Sequence, residues 1–277
     1  MIDSNTFITG SSDCTAKLWD TSSGEHRTFK GHTDWINSIV IMTWDSFLTG
    51  SDDKNIKLWH VPSGKCMCTY EGHTDIVSAL VRVDQIFFLS GSFDQTVKLW
   101  NMSMGECIRT YECHSEWIRA IVMLDNNRFI TGSSDKHARL WTIDEGICLK
   151  TFDGHVGDIQ TLAVIDKKRI LTGSRDKTIK LWKIKSALCI ETFTGHTGSI
   201  YSVINFDKHT FLSASADQTL RLWYTTNGEC LRIFEGHTHA VCAVVKLSDN
   251  WIISCSDDKT IKRWRISSVT SEPAWLQ

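Results

Sequence analysis

Residues 31–71 read GHTDWINSIVIMTWDSFLTGSDDKNIKLWHVPSGKCMCTYE, a unit in which a histidine, an aspartate and a tryptophan stand at fixed distances from one another. His32 precedes Asp53 by 21 residues, and Asp53 precedes Trp59 by six. Short runs rich in β-branched, aromatic and other apolar residues alternate with Asp, Gly and Ser, a pattern that predicts β-strands joined by turns. The predicted strands of this unit are residues 36–43, 46–51, 55–60 and 66–71.

The same unit returns along the whole chain. Tryptophan recurs at intervals of 40 and then five times 41 residues, at Trp19, Trp59, Trp100, Trp141, Trp182, Trp223 and Trp264. Histidine keeps the 41-residue interval at His32, His73, His114, His155, His196 and His237. Aspartate lies six residues before each tryptophan, at Asp13, Asp53, Asp94, Asp135, Asp176, Asp217 and Asp258. Serine or threonine lies ten residues before each tryptophan, at Thr9, Thr49, Ser90, Thr131, Thr172, Ser213 and Ser254. A four-stranded unit cannot bury both of its faces alone, so such units stack and close into a ring.

These residues resemble the WD-repeat family, whose unit runs from Gly-His to Trp-Asp over 40 to 45 residues. The resemblance implies an all-β, seven-bladed β-propeller of four-stranded antiparallel blades. It also implies a buried hydrogen-bond chain in each complete blade: the tryptophan indole bonds to Ser or Thr, the hydroxyl to histidine, and histidine to aspartate. We call each such set of four residues a tetrad. Only Trp19-Asp20 keeps the aspartate of the family name.

The repeat predicts a single domain over residues 1–277, with a partial first blade at 1–30 and six further repeats of about 41 residues from Gly31 to Gln277. The histidine that would precede Trp19 by 27 residues falls before Met1, so blade 1 is predicted to lack its inner strand. Three explanations stay open: further protein upstream, a strand supplied by a partner, or an incompletely closed ring. Trp275 follows Trp264 by 11 residues, which predicts that the C-terminus, including Pro273, forms the outer strand of blade 7.

Composition narrows the classes of function. The net charge of −2 and the pI near 6.6 argue against binding nucleic acid through phosphates. No apolar run is long enough for a membrane span, so no membrane partner is expected. Five of the ten cysteines recur every 41 residues on separate blades, too far apart for disulfides, which favours a reducing, cytoplasmic or nuclear compartment. No Cys or His cluster has metal-ligand spacing, so neither metal nor cofactor is expected.

The repeated Ser, His and Asp residues have the types of a catalytic triad, but an active site needs one constellation and this set occurs six times. The tetrads are therefore interpreted as structural, and the protein as non-catalytic. The alternative, an enzyme with its site at the channel mouth, would need carboxylates and histidines outside the tetrads. The candidates for that role are Asp158, Asp257 and His239.

Partner binding is predicted on the face that carries the His and Asp series, here called the top face. The residues three and five after each tetrad histidine, and the residue before each tetrad aspartate, should surround the channel; we call them the mouth positions. WD-repeat proteins commonly bind peptides there. The mouth residues of interface-forming type are Trp35, Ile76, Phe93, Trp117, Arg119, Arg175 and Tyr201. The alternative is that Trp35 and Trp117 only cover the junctions between blades.

The chain is also similar to the substrate receptors of F-box/WD-repeat ubiquitin ligases, which bind phosphorylated segments through top-face arginines. Arg119 and Arg175 match two such positions, whereas Gln160 stands where a further arginine would be expected. The predicted function is a scaffold or adaptor that binds a protein or peptide, with a phosphopeptide and a ligase substrate receptor as narrower possibilities. A nucleic-acid platform is the alternative from another class.

Overall fold

The computed structural model describes residues 6–20 and 22–266. It confirms an all-β, seven-bladed propeller: 26 strands form seven antiparallel sheets, and the described residues contain no helix. Blades 2 to 6 have four strands each. Among the described residues blade 1 has three strands, in agreement with the prediction of a partial first blade.

The strands follow one another in chain order within each blade. Blade 1 consists of β1 (Thr6–Gly10), β2 (Thr15–Asp20) and β3 (His26–Lys30). Blade 2 consists of β4 (Ile36–Thr43), β5 (Ser46–Ser51), β6 (Ile56–His60) and β7 (Lys65–Tyr70). Blade 3 consists of β8 (Val77–Arg82), β9 (Phe87–Ser92), β10 (Thr96–Asn101) and β11 (Glu106–Glu112). Blade 4 consists of β12 (Ile118–Asp125), β13 (Arg128–Ser133), β14 (Ala138–Thr142) and β15 (Cys148–Phe152).

Blade 5 consists of β16 (Ile159–Asp166), β17 (Arg169–Ser174), β18 (Ile179–Lys183) and β19 (Leu188–Phe193). Blade 6 consists of β20 (Ile200–Asn205), β21 (Thr210–Ser215), β22 (Leu220–Tyr224) and β23 (Cys230–Phe234). Blade 7 consists of β24 (Val241–Ser248), β25 (Trp251–Ser256) and β26 (Ile261–Arg265). The outer strand predicted around Pro273 and Trp275 lies outside the described residues.

The hydrophobic core lies between the blades rather than inside any one of them. Between blades 2 and 3, for example, Leu48 and Ile56 pack against Val77, Phe88 and Trp100, all less than 2% exposed. Because alternate residues of a strand point to opposite faces, each blade contributes one apolar face to each neighbour. This stacking fixes the inner strands around the channel, with β4 against β8, β8 against β12 and β12 against β16.

The described parts of blades 7 and 1 face each other where the ring closes. A cavity of about 580 Å³ lies there, lined by Phe7 and Trp19 from blade 1 and by Ile261 and Arg263 from blade 7. Ile261 is 40% exposed, whereas residues at the same position in the other blades are fully buried. Arg263 stands where the other blades have leucine, and its Cζ lies 4.0 Å from the centre of the Trp251 ring.

Candidate functional site

The tetrads connect the core of each complete blade to the top face. In blade 5 the Trp182 indole N–H donates to Thr172 Oγ1 at 2.8 Å, Thr172 Oγ1 lies 2.6 Å from His155 Nε2, and His155 Nδ1 lies 2.7 Å from Asp176 Oδ2. The other five complete tetrads have the same bonds. In blade 1 only the bond from Trp19 to Thr9 is present, at 2.8 Å.

A neutral histidine satisfies the whole chain of bonds. With the proton on Nδ1, Nδ1–H donates to the carboxylate and Nε2 accepts from the hydroxyl, whose oxygen accepts from the indole. Burial accordingly lowers the pKa of His114. Burial favours a raised pKa for Asp135, but the hydrogen bond and charge interaction with His114, the His137 amide and the charge of Arg139 together outweigh burial and lower the pKa of Asp135 to about 2. Such enclosed, mutually satisfied groups stabilise the blade and leave no free base for a substrate.

Backbone hydrogen bonds bring two of the three mouth positions of each complete blade side by side. The backbone amide of the residue before the tetrad aspartate donates to the backbone carbonyl of the residue three positions after the tetrad histidine, at 2.9 to 3.0 Å. The six bonded pairs, written donor first, are Asp52 with Trp35, Phe93 with Ile76, Ser134 with Trp117, Arg175 with Asp158, Ala216 with Ser199 and Asp257 with Ala240. Because these bonds use main-chain atoms alone, the side chains at these positions can vary without loss of the turn.

An aromatic pair lies across the junction of blades 3 and 4. The rings of Phe93 and Trp117 stack with their centres 4.5 Å apart and their planes at 2°. The Arg119 guanidinium lies against both rings, with Cζ 4.7 Å from the Phe93 centre and 5.0 Å from the Trp117 centre. Trp117 is nevertheless 41% exposed, so the group presents an apolar surface with a cation beside it.

Asp158 joins the two arginines. Arg175 donates to Asp158 Oδ2 at 3.2 Å, and an Arg119 guanidinium nitrogen lies 3.8 Å from the same oxygen. Arg119 Nε also donates to Ser134 Oγ at 3.0 Å, and that hydroxyl lies 3.2 Å from the carboxylate. Burial lowers the pKa of Arg119, but an arginine remains charged at neutral pH. Two cations and one anion leave this part of the mouth with a net positive charge.

The structure brings some of the sequence-predicted residues together and leaves others apart. Phe93, Trp117 and Arg119 form one group, which Asp158 connects to Arg175. Trp35 on blade 2 is 56% exposed and Tyr201 on blade 6 is 37% exposed, and neither stacks on another ring in the described part of the chain. Ile76 lies on blade 3, where its carbonyl accepts from the Phe93 amide.

The sequence reasoning missed the part played by Ser134 and Asp158 in holding the arginines. Both stand at mouth positions by their offsets from the tetrad residues, but offsets give no side-chain contacts. Asp158 was instead a candidate catalytic carboxylate.

The three candidate catalytic residues do not form one constellation. Asp158 contacts the arginines, and Asp257 Oδ1 accepts from the Cys242 thiol at 3.0 Å on blade 7. His239 Nδ1 lies 3.3 Å from the hydroxyl of its neighbour Thr238. Within the described residues, no group of three or more His, Cys, Asp or Glu side chains has a metal-binding arrangement.

Comparison with known proteins agrees with the blade pattern. The sequence profile described as WD domain, G-beta repeat matches residues 2–20, 24–60, 64–101, 105–142, 146–183, 187–224 and 228–265. A comparison with curated proteins finds no match. No helix in the described part of the chain is long and apolar enough to cross a membrane.

Proposed function

Because the chain belongs to the WD-repeat family, whose propellers are commonly non-catalytic protein-interaction scaffolds, we propose that it binds a protein or peptide on its top face. The stacked group of Phe93, Trp117 and Arg119 is the observation that carries the proposal. Trp and Arg are enriched among the residues that contribute most to interface energetics, since Trp buries a large area with only two side-chain torsions and Arg donates several hydrogen bonds from one rigid group. The same position in the other complete blades is Trp35, Ile76, Asp158, Ser199 or Ala240, so the blade fold does not depend on tryptophan there.

The charge of the group supports an acidic ligand. Arg175 is 57% exposed at its side chain and shares Asp158 with Arg119, so an incoming carboxylate or phosphate would meet two guanidinium groups and one competing carboxylate. Arginine favours planar, bidentate contacts with such groups. A phosphopeptide is therefore the narrower form of the proposal, and a ubiquitin ligase substrate receptor is one adaptor role that would use it.

The ten cysteines, all in the described residues, are free thiols, which supports an intracellular, cytoplasmic or nuclear protein. Exposed thiols persist in a reducing compartment.

Affinity capture with matched tryptophan variants tests the proposal. Trp44, in the turn between β4 and β5, is 74% exposed on the face opposite the tetrad histidines and is the control for Trp117. Proteins captured by the wild type and by Trp44→Ala, but lost with Trp117→Ala, would support a top-face partner. Identical sets from all three proteins, with each variant folded, would reject it.

A further inference from the structure

Positively and negatively charged side chains lie mainly on opposite sides of the channel mouth. Six blades with three mouth positions each give eighteen positions, and five of these are charged: Asp52, Arg119, Asp158, Arg175 and Asp257. The two arginines lie on blades 4 and 5, together with Asp158. The other two aspartates lie on blades 2 and 7, on either side of blade 1 and so across the ring from the arginines.

The side of the mouth that carries Asp52 and Asp257 has no ion pairs at these two aspartates within the described residues. Among residues 6–20 and 22–266, no ion pair joins Asp52 or Asp257 to a basic side chain. Asp52 accepts from the Asn37 amide group, a neutral donor, so its charge remains. Its own amide donates to the carbonyl of Trp35, so a residue with a 56% exposed indole and one with a carboxylate are main-chain neighbours at the mouth. An aromatic face next to an anion attracts a lysine or arginine side chain by both cation–π and charge interactions.

Blade 3 supplies the middle of the path from Trp35 to Arg119. Its mouth positions are Ile76, Ser78 and Phe93, with no charge among them. The Ser78 hydroxyl donates to the Ile118 carbonyl of blade 4, so it is occupied within the protein. A ligand that crosses this blade meets mainly an isoleucine and the phenylalanine of the aromatic pair.

The blade spacing sets the length of such a ligand. The inner strands β4, β8 and β12 contact one another in sequence, and facing sheets pack about 10 Å apart. The Cα atoms of neighbouring inner strands approach within 8 Å. Two blade steps therefore cover roughly 16 to 20 Å, which an extended chain at about 3.3 Å per residue spans in about five to six residues.

We propose, on the basis of the proposed function, that the ligand is an extended peptide with a basic side chain and an acidic side chain about five to six residues apart. The basic side chain contacts Trp35 and Asp52 on blade 2. The acidic side chain, a carboxylate or phosphate, contacts Arg119 and Arg175. Apolar residues between them cover Ile76 and Phe93. The charge division thus selects ligands by the order and spacing of their charges, beyond simple attraction to acidic sequences.

Peptide selection with charge-neutralised variants tests this. A library of random displayed 12-residue peptides is selected separately on wild type, Asp52→Asn and Arg175→Gln. The controls Asp144→Asn and Lys208→Gln remove the same charges from exposed positions in bottom-face turns. Thermal melting confirms that every variant is folded.

The wild-type pool should be enriched in pairs of opposite charge five to seven residues apart, and the controls should match it. Asp52→Asn should lose the preference for the basic residue and keep that for the acidic one, and Arg175→Gln should do the reverse. For a selected peptide, each variant should weaken binding roughly three- to tenfold.

Two results overturn the inference alone: a wild-type pool without paired charges, or a preference for the basic residue that survives Asp52→Asn. In either case the top-face platform stands if the selected peptides still require Trp117. If Trp117→Ala selects the same peptides as wild type, the proposed function fails as well.

Discussion

The Arg119 guanidinium lies 4.7 Å from the centre of the Phe93 ring, although the two residues belong to different blades. The contact therefore crosses a junction between two blades, at the top face of the propeller and outside the tetrads. The residues proposed for recognition are therefore distinct from the tetrads, and the two sets can be changed separately.

Removing the aspartate of a complete tetrad should destabilise the protein. Asp176 accepts hydrogen bonds from His155 Nδ1, the Val156 amide, and the amide and hydroxyl of Thr178. Asp176→Ala leaves a buried histidine N–H without its acceptor, and we expect a loss of about 3 kcal/mol in the free energy of unfolding by urea.

Asp13 is the matched control for Asp176. It occupies the same position in blade 1, where no tetrad histidine is present, and its side chain is half exposed. Asp13→Ala should cost less than about 1 kcal/mol. Equal losses for the two variants would contradict the role assigned to the His–Asp bond.

Stability should fall as the pH drops below about 6.5. Burial lowers the pKa values of His32, His114 and His196 in the folded protein, so the unfolded chain takes up protons at a higher pH than the folded chain does. The unfolded state therefore becomes more favourable as the pH falls. Below about pH 4 the tetrad aspartates add to this loss, because their folded pKa values, such as about 2 for Asp135, lie below the unfolded value.

Urea unfolding between pH 4.5 and 8 measures the first part of this effect. The free energy should be highest above pH 7 and decline smoothly toward pH 5. Salt should change the profile little, because the tetrad pairs are buried and poorly screened. A maximum near pH 5 would show that the histidines are charged in the folded protein.

The two kinds of tryptophan should respond differently to substitution. Trp117→Ala removes a partly exposed stack with Phe93, so the free energy of unfolding should fall by no more than about 1.5 kcal/mol and the melting temperature should change little. Trp182→Phe keeps a buried ring but removes the indole N–H that donates to Thr172. Because the hydrogen bond is lost and the side chain is smaller, we expect the free energy of unfolding to fall by roughly 2 kcal/mol or more. A large stability loss with Trp117→Ala would mean that this residue covers the blade junction and is structural.

Thiol labelling should divide the cysteines into two groups. Cys66, Cys107, Cys148 and Cys189 are exposed on outer strands and should react within minutes at pH 8. Burial raises the pKa of the Cys113 thiol and that of Cys242, the latter to about 12, so both hold little reactive thiolate. Mass spectrometry of partly labelled protein should find the second group modified only after unfolding, and early labelling of Cys113 would contradict its burial.

Much of the fold could be predicted because each repeat carries its own pattern of apolar strand residues, turn residues and tetrad residues. The predicted strand 46–51 is identical to β5, and the predicted strand 36–43 is identical to β4. The spacing also placed Ser134 and Asp158 at the mouth. Their contacts with arginines could not be predicted, since a repeat position fixes a Cα but leaves the rotamer of a long side chain open.

The contacts of Arg139 with a tetrad could not be predicted from the repeat pattern either. This arginine stands where most other blades have lysine, yet its guanidinium donates to the Cys113 carbonyl at 2.7 Å and to Asp135 at 3.1 Å. In blade 4 a cation therefore joins the tetrad. The sequence shows Cys113 in place of the usual glycine, but no spacing rule connects these two departures.

The main-chain bonds beneath the mouth positions make this surface suitable for engineering. Ser199, Ala216 and Ala240 present small side chains at positions whose own hydrogen bonds across the turn use main-chain atoms. A combinatorial library randomised at these three residues should yield binders of new specificity from a protein that still folds, so the propeller can serve as a scaffold for synthetic affinity reagents.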